Sequence, residues 1–70
     1  MRIEVVSEFC DNYFPPINIE VRNYPDNKVY NSTTYTEPSD GVYDSFLVGI
    51  FRVKYKKLNP NYYCAGQLDV

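Results

Sequence analysis

Val42-Tyr43-Asp44-Ser45-Phe46-Leu47-Val48-Gly49-Ile50-Phe51-Arg52-Val53-Lys54-Tyr55-Lys56-Lys57 is the stretch on which the fold turns. Read as a helix over 45–57, it places Phe46, Gly49, Ile50 and Val53 at i, i+3, i+4 and i+7 behind an Asp44-Ser45 cap, which would lay one helix on a three-stranded sheet. Read as a strand, it is crowded with Phe, Val, Ile and Tyr and alternates apolar with polar residues without error from Phe51 to Lys56. The strand reading also explains a change of phase: apolar residues hold even positions before Gly49 (Phe46, Val48) and odd positions after it (Phe51, Val53, Tyr55). A one-residue bulge at Gly49-Ile50 in a single strand over 42–58 returns both sets to one face and bends the strand, as a small barrel requires.

Working outward, Ile17-Asn18-Ile19-Glu20-Val21-Arg22 alternates equally well, and predicts a second half-buried antiparallel strand from Ile17 to Asn23. Tyr24-Pro25-Asp26-Asn27-Lys28 is a turn, with Pro preset for its second position and Asp and Asn tolerant of tight conformations. It leads to a polar edge strand from Val29 to Thr36. Arg2 to Phe9 predicts a first strand, Cys10 to Pro16 a loop, and Tyr62 to Leu68 a short fifth strand. The expected fold is all-β: an antiparallel sheet of four or five strands curled into a barrel or half-barrel. Its expected core is Ile3, Val5, Phe9, Ile17, Ile19, Val21, Val29, Phe46, Val48, Phe51, Val53 and Tyr55.

Seventy residues make one domain (1–70), near the size at which a core alone barely suffices, so support from a disulfide, a partner or a second copy is expected. Nothing approaches the length of a membrane span, and an acid inside Met1-Arg2-Ile3-Glu4-Val5-Val6 argues against a secretory signal. The expectation is a soluble cytoplasmic protein in which Cys10 and Cys64 are free thiols. Asn31-Ser32-Thr33 fits the glycosylation pattern but carries no meaning without secretion. Residues 1–44 hold three basic and eight acidic side chains, whereas residues 45–70 hold four basic and one acidic. That asymmetry suggests a basic strand beside acidic ones, with Glu4 or Glu20 opposite Lys54 or Lys56.

No motif carries chemistry. Histidine is absent, the cysteines lie apart from any zinc-site spacing, and the three glycines are scattered, so no enzyme, cofactor or metal site is predicted. What remains is aromatic. Eight tyrosines are more than a small core can bury, and tyrosine suits surfaces that bind. Tyr13, Phe14, Tyr24, Tyr30, Tyr35, Tyr62 and Tyr63 fall at loop ends or on the polar edge strand and are the candidate partner-binding residues. The partner is expected to be another protein, with a homodimer through an exposed edge as a further expectation. The alternative is a small barrel that binds single-stranded nucleic acid or a nucleotide-like ligand, with Arg52, Lys54, Lys56 and Lys57 tracking phosphates and Tyr55, Tyr62 and Tyr63 stacking on bases. A net charge of −2 and a pI near 4.8 weigh against it.

A very short chain, rich in Tyr and Asn and without a catalytic group, resembles in general manner the small accessory and host-takeover proteins of bacteriophages and mobile elements, anti-CRISPR inhibitors among them. The resemblance implies an inhibitor that works by occupying a partner's surface.

Overall fold

The computed structural model describes residues 1–6, 16–37, 39, 41–57 and 66–70. Among these lie six strands and no helix: β1 (Arg2–Val5), β2 (Ile19–Asn23), β3 (Lys28–Ser32), β4 (Val42–Val48), β5 (Phe51–Lys57) and β6 (Gly66–Asp69). All pairings are antiparallel. Four strands form one sheet in the order β3-β2-β5-β4, and β1 pairs with β6 in a second. The larger sheet does not close into a barrel, because β3 and β4 end the order. The two strands that alternate most cleanly are central neighbours, from Ile19 opposite Tyr55 to Asn23 opposite Phe51.

The stretch over 42–57 is a hairpin, which corrects the single bent strand. Val48 pairs with Phe51 across a two-residue turn, Gly49-Ile50, with Gly49 at φ +58°. Positive φ at the first turn position alone is the pattern of a II′ turn, whose twist matches that of the flanking strands. A two-residue turn pairs even positions with odd ones, so Phe46 lies opposite Val53 and Asp44 opposite Tyr55. The change of phase at Gly49 is therefore the imprint of a chain reversal, which shifts parity just as a bulge would.

A real bulge lies in β3. Glu20 and Val21 pair with Ser32 and Asn31, but Arg22 pairs with Val29, so Tyr30 is the extra residue. One inserted residue turns everything beyond it to the opposite face. Val29 is thus carried away from the core and is exposed. β3 also stops at Ser32, short of Thr36. Beyond it one backbone bond remains, from the Thr33 N–H to the Ile19 carbonyl at 3.0 Å, and side chains supply the rest: Thr33 Oγ1 accepts from the Ile19 N–H at 2.9 Å, Asn18 brackets the Tyr35 backbone, and Glu37 Oε1 accepts from the Asn18 N–H at 2.6 Å.

Between the sheets, Ile3 and Val5 of β1, Leu68 of β6, Ile17 just before β2, Ile19 and Val21 of β2, and Val53 and Tyr55 of β5 form the core among the described residues. Val48 and Phe51 are half-buried against it. Gly66 lets β6 pack close to the chain at Ile17, since a Cβ there would lie 2.7 Å from the Ile17 carbonyl oxygen. β6 rests against β2 and β3, and Asn31 Nδ2 donates to the Asp69 carbonyl at 2.6 Å. That offset explains the second correction to the core. Phe46 belongs to the inner face and tilts toward Tyr55 at 5.9 Å between ring centroids, yet it stays 36% exposed, because the small sheet lies over the β2–β3 side. Phe9 and both cysteines fall outside the described residues.

Candidate functional site

The strand left over is β4. All of its residues from Val42 to Leu47 are exposed, on both faces, and β5 is its only strand neighbour among the described residues. A two-residue hairpin makes Val48 and Phe51 a hydrogen-bonded pair, and such pairs recur at every second residue. Val42, Asp44, Phe46 and Val48 therefore turn their backbone groups toward β5, and Tyr43, Ser45 and Leu47 turn theirs to the open edge. A seven-residue edge bearing Val42, Tyr43, Phe46 and Leu47 is a template for a further strand. One polar group guards it: Asp44 Oδ1 accepts from the Ser45 N–H at 2.8 Å, one of the edge-facing donors. The Ser45 N–H bond, followed by the charge of Lys57 at 3.6 Å and a hydrogen bond from the Tyr55 hydroxyl at 3.4 Å, holds the Asp44 carboxyl below the usual carboxylate range.

Tyr43, Ser45 and Leu47 also share the outer face of the sheet, the face turned away from the core, with Glu20, Arg22, Arg52 and Lys54. Register places Ser45 and Glu20 on either side of Lys54, as the charge asymmetry predicts for Glu20. It also sets Arg22 directly opposite Arg52, an arrangement unfavourable in itself. Each arginine is drawn aside. Arg22 bonds Glu20 at 2.6 Å and the Asn27 carbonyl at 3.0 Å, and the Arg52 guanidinium lies 5.3 Å from the centre of the Tyr24 ring. Lys54 Nζ stands 4.5 Å from the centre of the Tyr43 ring, so the cation reaches sideways over β4. Neither Arg52 nor Lys54 has a carboxylate partner among the described residues. Between these side chains is a shallow cleft of about 530 Å³.

The predicted site residues separate. Tyr24 is exposed beside Arg52, and its N–H donates to the Ile50 carbonyl at 2.7 Å, which joins it to the turn end of the β4–β5 hairpin. Tyr30 meets Phe51 edge-on at 5.1 Å, on the other side of the sheet from Arg52, and Tyr35 lies beyond β3 beside Asn18. These three do not form one patch. Tyr13, Phe14, Tyr62 and Tyr63 lie outside the described residues. Of the nucleic-acid set, Arg52, Lys54 and Lys56 share the outer face by alternation, with Lys56 largely buried. Tyr55 is a core residue and cannot stack on a base, and Lys57 is paired with Asp44 on the inner face. Arg22 and Tyr43 complete the outer face. Neither stands out in the sequence, because only the pairing register brings them beside Arg52 and Lys54.

Among the described residues no group of three or more Cys, Asp or Glu gathers as a metal site, and no helix is long and apolar enough to cross a membrane. Comparison with protein-family models, with curated proteins and with solved structures gives no match.

Proposed function

We propose that this protein is a non-enzymatic binding module that takes an extended segment of another protein along β4, as an added strand. In the cell it would act as an inhibitor by occupying that partner's surface. The observation that carries the reading is β4 itself: exposed on both faces, rich in large apolar side chains, and, among the described residues, open along one edge. Strand addition needs no deep pocket, since affinity comes from main-chain hydrogen bonds and specificity from alternate side chains. Tyr24, Ile50 and Leu47, all more than half exposed, extend the apolar surface at the turn end.

Affinity capture with and without nuclease tests it when Leu47→Pro and Leu47→Val are run beside the wild type. Proline at 47 removes an edge-facing N–H and no bond to β5, whereas valine keeps that N–H. The expected result is a protein partner retained after nuclease, lost with Leu47→Pro and kept with Leu47→Val. The row of Arg22, Arg52 and Lys54 favours a second reading, a phosphate track for single-stranded nucleic acid; capture that vanishes with nuclease supports that one.

A further inference from the structure

The outer face says what kind of segment β4 would accept. Resting on the strand-addition reading, we infer that the segment is acidic: an extended strand whose carboxylates point to the outer face and whose apolar side chains point to the inner one. Neighbouring strands lie about 4.8 Å apart, so an added strand stands about two such spacings from β5. Lys54 is opposite Ser45, the smallest side chain on β4, and its ammonium already leans over that strand toward Tyr43. A carboxylate set opposite Ser45 comes within reach of Lys54, whereas Arg52 is turned toward Tyr24 and adds only to the positive charge of the same face. Neither cation has a carboxylate within ion-pair distance among the described residues, Glu20 opposite Lys54 being bonded to Arg22 instead. The inner side of the same edge offers Val42 and Phe46, which favour apolar neighbours, on either side of Asp44, whose charge is met by Lys57. Alternation of acid and apolar residues is thus the complement of this edge. A second copy of the chain fits less well, since antiparallel pairing of two β4 strands about Ser45 would bring two Lys54 side chains toward each other.

The test is fluorescence anisotropy of the full chain with three labelled peptides, alternating valine with glutamate, with glutamine or with lysine, and with a labelled single-stranded oligothymidine. The glutamate peptide is expected to bind about threefold tighter than the glutamine peptide, one favourable charge contact with Lys54 being worth about that factor. The margin is expected to vanish in an Arg52→Gln, Lys54→Gln double variant and to shrink with salt. Binding is expected to be lost in Leu47→Pro and, with the wild-type protein, for a glutamate peptide methylated at its backbone nitrogens. Equal affinity for the glutamate and glutamine peptides, both sensitive to Leu47→Pro, overturns the acidic preference and leaves strand addition standing. Glutamate-peptide binding that survives both Leu47→Pro and backbone methylation overturns strand addition. Binding of the oligonucleotide alone assigns the face to nucleic acid and overturns the inference, as does failure of every probe to bind.

Discussion

Replacing Gly66 with alanine measures how tightly the two sheets are pressed together. The added Cβ would stand 2.7 Å from the Ile17 carbonyl oxygen, 2.9 Å from Ile19 Cδ1 and 3.0 Å from Ile17 Cγ1. The first distance falls about 0.7 Å short of the 3.4 Å at which ordinary contact begins, and a backbone oxygen cannot swing away as a side-chain end can. Relief therefore requires β6, and β1 paired to it, to lift from β2 and loosen Ile3, Val5 and Leu68 against Ile17 and Ile19. Overpacking of this kind costs about 1–3 kcal/mol. The stiffer unfolded chain returns about 0.4–1 kcal/mol, leaving a net loss of about 1–2 kcal/mol. With a urea slope of about 1 kcal/mol per molar for so small a domain, the midpoint should fall by about 1–2 M. Equilibrium urea unfolding followed by tyrosine fluorescence reads this directly. A midpoint equal to or above that of the wild type refutes the packing argument.

The bulge in β3 is tested by a pair of truncations: Ile19→Ala should cost about 2–5 kcal/mol, as a fully buried site does, while Val29→Ala should stay within about 0.5 kcal/mol. Similar losses at both sites would place Val29 back in the core. Asp44, with its carboxyl held low in the folded chain by the Ser45 N–H and Lys57, contributes stability that is complete above the ordinary aspartate range and is lost as pH falls through the lower folded value. The stability difference between wild type and Asp44→Asn should accordingly shrink on acidification through that window, and an unchanging difference would dismiss the linkage. Asp44→Ala also uncovers the Ser45 N–H at the β4 edge, and light scattering should detect more self-association than in the wild type at equal concentration.

Alternation made β2 and β5 legible, because each has one face on the core and one in water, and it made Arg52 and Lys54 legible as neighbours on one face. Parity around Gly49 was legible too, but parity alone cannot separate a bulge from a reversal; the separation depends on which residues pair. Val29 was misread for the opposite reason, since nothing in its neighbours announces that Tyr30 is the inserted residue. Leu68 was passed over in the core because a four-residue strand with one large apolar side chain shows no period. The exposure of β4 is hidden as well, for its composition is that of a buried strand, and among the described residues the offset of the small sheet toward β2 and β3 leaves its inner face uncovered.

The pairing of β1 with β6 joins the two ends of the chain: Arg2 stands opposite Asp69, and Met1 and Val70 exchange hydrogen bonds at 2.6 Å in both directions. Among the described residues, three of the eight core side chains, Ile3, Val5 and Leu68, belong to that pair. Closure of so long a loop carries the greatest entropic cost in the molecule, whereas the β4–β5 hairpin closes over two residues. The expected order of assembly has the hairpin forming early, β2 docking on β5, and the terminal sheet arriving last to cover Ile17, Ile19 and Val21. Until it arrives, the larger sheet carries an open apolar face as well as an open edge, so aggregation during folding should scale with the time the two ends take to meet.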